Sequence, residues 1–240
     1  MNRVLKGLAD LVFPPRCIAC GNLVTGNEAN PFCRSCLSRV HFIQSPLCMR
    51  CGVPFAVEEG RDHLCGDCVT SKAHFTVARA AGRYEEVLLD AIHRFKYQGK
   101  IHVGEVLGQF MAAYEYSSFR IVDYTMLVPV PLHRKRLRER GFNQSVILAR
   151  EVAKHHSLPM NFAVLRRKEW TEPQVTLGKD DRGANVRGAF EVTDSERIRD
   201  EKILLVDDVY TTGSTVKECS RVLKRGGAAE VAVLTLARAI

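Results

Sequence analysis

Eight of the nine cysteines lie between positions 17 and 68 as four C-x-x-C pairs: Cys17/Cys20, Cys33/Cys36, Cys48/Cys51 and Cys65/Cys68. No other feature constrains the fold as strongly. A C-x-x-C turn aims two sulfurs at one point, and two turns complete a tetrahedral metal site with no open position. Twelve residues separate the first pair from the second and thirteen the third from the fourth, the spacing of two consecutive zinc ribbons. Gly21 and Gly52 follow the first and third pairs, where a tight turn favours a residue without Cβ. A disulfide framework belongs to exported chains, and a thioredoxin-like motif needs one C-x-x-C, so two structural zinc sites are expected. Spacing leaves the pairing open between consecutive sites and a cross-braced arrangement. With eight thiolates present, His41, His63 and His74 read as packing or surface residues. Cys219, far downstream in an amphipathic pattern, reads as a small buried side chain.

The first residues, with Arg3 and Lys6 ahead of apolar positions, imitate a signal peptide. Gly7 and Asp10 interrupt the apolar part, and Pro14-Pro15 leads straight into the cysteines. Val4, Leu8, Leu11 and Val12 share one helical face, so a short docking helix is expected there. No apolar run reaches the roughly 18 residues of a membrane span. The sequence therefore places the chain in the cytoplasm, without membrane insertion. At 46% hydrophobic and 26% charged residues it has the material for a packed core, which excludes a disordered or fibrous protein.

From about residue 72 the periodicity changes. β-rich runs at 76–84, 124–130, 202–209 and 230–237 alternate with helical patterns at 85–97, 103–116, 143–155 and 214–225. In 85–97, Leu88, Leu89, Ile92 and Phe95 mark the apolar face. Strands separated by helices imply a mainly parallel sheet buried on both faces. The expected organisation is a helix and double zinc ribbon over residues 1–71 and an α/β domain over 72–240. In such a domain, ligands sit beyond the carboxyl ends of the strands.

The segment ILLVDDVYTTGST supplies that position with chemistry. Four apolar residues form a buried strand, two adjacent carboxylates, Asp207 and Asp208, emerge at its end, and Thr211, Thr212, Gly213, Ser214 and Thr215 open a helix. Backbone N–H groups around a glycine, flanking hydroxyls and the positive end of a helix dipole form an anion cradle. The carboxylates can accept hydrogen bonds from vicinal hydroxyls or approach Mg²⁺. A sugar phosphate meets both demands.

This segment resembles the phosphoribosyl diphosphate (PRPP) binding motif of type I phosphoribosyltransferases. The wider series of the four C-x-x-C pairs, FKYQGK, VPVPLHRKRLRERGFNQS, LRRKEWTEPQVTLGKDDRGANVRGAF and the PRPP-like motif resembles the ComF family over essentially the whole chain. The resemblance implies a double zinc ribbon fused to a type I phosphoribosyltransferase fold. For competence members of the family it implies a role in handling DNA taken up in natural transformation. The partners implied are PRPP with Mg²⁺, single-stranded DNA, and competence or DNA-processing proteins.

By the same resemblance Asp207 and Asp208 would hold the ribose hydroxyls or Mg²⁺, and residues 211–215 the 5′-phosphate. The basic run Arg134, Lys135, Arg136, Arg138 and Arg140 corresponds to the pyrophosphate loop, with Arg134 and Arg140 as candidate contacts; a solvated basic helix start is the plainer alternative. Lys96 is expected to meet an anion near the site, Phe95 to pack in the core, and Tyr97 to stack on a base or join the core. Residues 166–190 read as a polar lid carrying Gln174, Arg182, Asn185 and the single tryptophan, Trp170, while Arg166, Arg167 and Lys168 suit a nucleic-acid backbone equally. Two function classes follow. One is a Mg²⁺-dependent phosphoribosyltransferase acting in DNA uptake or nucleotide metabolism; the other is a non-catalytic single-strand-binding adaptor on the same fold.

The formal net charge is +8, divided as 7 basic and 6 acidic residues over positions 1–68 and 28 and 21 over positions 69–240. Two zinc ions held by eight thiolates lower the total to about +4. The excess positive charge therefore belongs to the α/β domain and argues for a local anion site.

Overall fold

The computed structural model describes residues 14–24, 31–57, 59–97, 99–169 and 186–240. The expected N-terminal helix, Trp170, Gln174, Arg182 and Asn185 lie outside them. The elements, in chain order, are β1 Ala78–Arg83, α1 Glu86–Tyr97, α2 Ile101–Ala113, β2 Met126–Pro129, α3 Arg134–Arg140, α4 Gln144–His156, β3 Leu165–Arg167, β4 Phe190–Val192, β5 Lys202–Tyr210, α5 Ser214–Arg225 and β6 Glu230–Arg238. Helical turns Arg34–Leu37 and Gly66–Thr70 belong to the ribbon.

Four strands pair in the order β1-β6-β5-β2, every pair parallel. The central strand β5 shows why both faces are covered. Ile203, Leu204, Leu205 and Val206 are fully buried, and burial of each contributes about 1.5–3 kcal/mol. Leu204 and Val206 join a cluster with Phe95 of α1, Leu107 of α2 and Leu148 of α4. Ile203 and Leu205 point the other way, to Val216, Cys219 and Leu223 of α5 and to Phe190 of β4. Side chains alternate across a strand, so one apolar run serves two cores.

The ribbon covers the edge of the sheet. Ile43 N–H donates to Ala81 C=O, Arg83 N–H to His41 C=O and Ala78 N–H to Arg50 C=O, at 3.1, 2.8 and 2.6 Å. These bonds pair the exposed side of β1, which would otherwise present unsatisfied backbone groups. Gly21 and Gly52 take positive φ of 82° and 69°, and a Cβ on Gly52 would collide with the Ala78 carbonyl. The glycine after each pair thus serves the turn, and Gly52 also lets the ribbon reach the strand.

Residues 134–140 form a helix, ended by Gly141 in the left-handed conformation, as the plainer of the two readings of that run had it. The structure differs from the sequence reading at two places. Arg166 and Arg167 belong to a strand: β3 and β4 pair antiparallel, so the ends of the expected lid are a hairpin stem. Leu89, expected on the core face of α1, lines a cleft instead. The core face of α1 is Val87, Leu88, Ala91, Ile92 and Phe95.

Candidate functional site

The thiols fall into two clusters, Cys17/Cys20/Cys33/Cys36 and Cys48/Cys51/Cys65/Cys68, with the sulfurs of each set within 4.8 Å of one another. Consecutive pairs therefore share a centre. Cys20 and Cys33 sulfurs are 3.7 Å apart, as are those of Cys51 and Cys65. Four sulfurs at 2.3 Å from a tetrahedral zinc ion stand about 3.8 Å apart, so both donor sets fit structural zinc. Backbone N–H groups of Cys51 and Cys65 point at the Cys48 sulfur at 3.5 and 3.4 Å, and burial encloses this second cluster more than the first, where Cys20 is exposed. His63 stacks on Phe55 and His41 pairs with Glu85, so neither is a ligand.

A cleft of about 460 Å³ opens at the carboxyl ends of β2 and β5. From β2 the chain passes through α3 to α4 on one face; from β5 it enters α5 on the other. Divergent connections of this kind leave a crevice between neighbouring strands. Asn143 fixes one wall: its side-chain carbonyl accepts from Ser145 N–H and its amide donates to Val130 C=O, both at 3.0 Å. That cap ties the start of α4 to the end of β2.

Both carboxylates reach this cleft. The Ser145 hydroxyl donates to Asp207 at 2.8 Å, and the Asp208 N–H donates to the same oxygen at 2.9 Å. Burial, reinforced by the neighbouring Asp208 charge, pushes the Asp207 pKa up to about 7. Lys96 Nζ lies 2.7 Å from Asp208 Oδ2. Burial opposes the Lys96 charge, but the Asp208 carboxylate outweighs it and leaves the ammonium pKa above its ordinary value.

The other wall is built by β5, the loop after it and α5. Gly213 caps α5 with φ 76°, and a Cβ there would collide with the Tyr210 ring. The Thr212 and Ser214 hydroxyls are 2.9 Å apart and hydrogen-bonded. Thr211, Gly213, Ser214 and Thr215 line the cleft, whereas Thr212 faces a neighbouring hollow against the second ribbon. Of the basic run, Arg136 and Arg140 reach the cleft, one helical turn apart on α3. Arg140 lies over the Tyr97 ring at 5.5 Å, and burial pulls its pKa down. Arg134 lies instead on an adjoining groove with Leu137, Phe142 and Phe162.

Gln144 and Ser145 are the residues sequence reasoning did not assign, while Arg167, read there as part of the lid or as a nucleic-acid contact, lines this cleft. Arg167 sits at the loop end of the β3–β4 stem, over the ring of its partner Phe190 at 5.3 Å. Gln144 is 2% exposed, lines the cleft, and its amide nitrogen has no hydrogen-bond partner among the described residues. A buried donor without a partner is unfavourable by about 1–3 kcal/mol, so an acceptor on a ligand is the expected complement. Gln144 and Ser145 both lie within the segment FNQS, but only helix α4 shows which way each side chain turns.

Lys96, Arg136, Arg140 and Arg167 thus face Asp207 and Asp208 across one crevice. The arrangement offers cationic and N–H donors to an anion and carboxylate acceptors to hydroxyls. Among the described residues only the thiol clusters gather three or more metal-ligating groups. The two carboxylates suit Mg²⁺ only in company with a ligand's own oxygens, as is usual for that ion.

Fold and site define a double zinc ribbon joined to a type I phosphoribosyltransferase domain. The sequence matches the double zinc ribbon domain model over residues 8–69 and the phosphoribosyl transferase domain model over residues 143–240. The chain belongs to the ComF family. It is 31% identical to Competence protein F of Haemophilus influenzae over 229 residues, covering 93% of this chain and 97% of that one. Competence protein ComFC of Bacillus subtilis is 28% identical, covering 86% and 83%. DNA utilization protein YhgH of Escherichia coli is 29% identical, covering 87% and 90%.

Proposed function

We propose that the cleft binds PRPP with Mg²⁺ and that the protein acts, as a phosphoribosyltransferase of residues 72–240 carried with the zinc module of residues 1–71, in the uptake or use of DNA in the cytoplasm. The observation that carries this reading is the meeting of Asp207 and Asp208 with the Gly213 loop, Arg140 and the partnerless Gln144 amide in one crevice. The relatives' names, which speak of competence and DNA utilization, support the cellular half.

Each group has a task in that chemistry. Substitution at the anomeric carbon passes through an oxocarbenium-like state, so the protein must orient the ribose and stabilise departing negative charge more than supply a nucleophile. Residues 211–215 hold the 5′-phosphate on the N-terminus of α5. Asp207 and Asp208 accept from the ribose hydroxyls, and Arg140, Arg136 and Lys96 face the diphosphate. Mg²⁺, held by the diphosphate together with Asp207 and Asp208, would neutralise leaving-group charge.

Calorimetric titration of zinc-loaded protein with PRPP and Mg²⁺ tests the binding. A saturable heat that disappears in Asp207→Asn/Asp208→Asn is expected; no heat with the unaltered protein overturns the reading. If that variant loses PRPP but keeps single-stranded DNA binding and transformation, the protein is an adaptor on this fold and the enzymatic reading is sunk.

A further inference from the structure

The second zinc cluster and the phosphate loop are joined through one side chain. Arg238, the last residue of β6, lies beside Tyr210, the last residue of β5, in the sheet register. Its guanidinium donates to the Cys51 carbonyl at 2.7 Å and points a second N–H at the Cys51 sulfur at 3.6 Å. The same group lies over the Tyr210 ring, 4.1 Å from its centroid. Tyr210 in turn fills the space that a side chain at position 213 would need. Metal ligand, guanidinium, ring and loop glycine are thus in contact in sequence.

Arg238 is 9% exposed and its Nε has no hydrogen-bond partner among the described residues. A buried arginine left incompletely paired is destabilising unless a counter-charge offsets it. A zinc ion with four thiolates carries about −2 and supplies that charge, while donors to a ligand sulfur fix the ligand's orientation. The ribbon alone does not account for the ring contact, because Tyr210 shares a core cluster with Val216 and Cys219 of α5.

We propose that Arg238 is a positioning residue through which the second zinc site holds the loop at Gly213 in its anion-binding geometry. What the loop binds rests on the PRPP reading; the coupling does not. Hydrogen exchange of the full chain, read by mass spectrometry alongside a native zinc count, separates the two. In Arg238→Met, amides of residues 211–216 should exchange about tenfold faster, with two zinc ions retained and α2 and α4 unchanged. Stripping zinc from the unaltered protein should give the same local rise, and stripping it from Arg238→Met should add little there, because both remove one link. Arg238→Lys keeps the charge but loses the planar guanidinium over the ring, so its loop should fall between; it carries the test if the methionine variant does not fold. Unchanged loop exchange, a rise spread evenly over the domain, or fully additive effects overturn the proposal. PRPP–Mg²⁺ affinity should weaken about tenfold in Arg238→Met. A protein that shows the loop coupling but never binds PRPP would overturn the proposed function and leave the coupling standing.

Discussion

Lys96 and Asp208 form an ion pair that closes α1 onto the end of β5, with Nζ 2.7 Å from Oδ2 and side chains only 17% and 13% exposed. Removing one partner of such a pair leaves a largely desolvated charge, whereas removing both leaves none. Lys96→Met should therefore lower stability by about 3 kcal/mol, and Lys96→Met/Asp208→Asn should be more stable than Lys96→Met alone. Urea unfolding of the three proteins checks this; equal loss in single and double variants would show that the pair is not coupled.

Asp207 gives the protein a distinctive pH dependence. Its folded pKa, near 7, exceeds the ordinary value of 3.8. Between those values the folded state binds more protons than the unfolded chain, so this residue makes stability fall as pH rises from about 4 to about 7, then level off. Asp207→Asn should flatten that slope. The comparison of the two proteins' unfolding midpoints across this range is the measurement.

Gln144→Leu should move two readouts in opposite directions. Replacing the partnerless buried amide with an apolar group of similar size should raise the stability of the ligand-free protein by about 1 kcal/mol. It should also weaken PRPP binding by about tenfold, since a donor hydrogen bond is lost. Thermal unfolding and calorimetry on the same preparation check both signs.

Gly213→Ala strains a left-handed position and drives a methyl group into Tyr210. Destabilisation of about 1–3 kcal/mol is expected, together with loss of measurable PRPP binding. Retained affinity would remove the loop from the anion site.

The two zinc ions should leave at different rates. Cys20 is exposed in the first cluster, while Cys48, Cys51 and Cys68 of the second are buried. Chelator should release one equivalent rapidly and the second slowly. Cys20→Ser should abolish the fast phase alone, as followed with a metal-sensitive dye.

Much of the scaffold was legible because it follows from local periodicity. The run from Ile203 to Val206 is apolar at every position because both faces of β5 are covered, and helix α5 runs over Ser214–Arg225 as its pattern implies. Cysteine spacing likewise expressed the reach of two sulfurs around one ion. The segment at 134–140 left loop and helix both open because five basic residues in seven mask a short helix with no buried side chain. The stem at β3 and β4 was missed because three-residue strands show no period.

The sequence alone determined the parts: two ribbon half-sites twice over, an apolar strand ending in Asp207 and Asp208, and a glycine-opened helix after it. Tertiary structure decided which parts meet. It assigned consecutive thiol pairs to one centre, brought Ser145 to Asp207 and Lys96 to Asp208, turned Arg140 into the cleft and Arg134 out of it, and set Arg238 against Cys51. Periodic burial acts between neighbours a few residues apart and leaves its mark in composition. Contacts between residues far apart depend on strand order and register, which exist only once the sheet has formed.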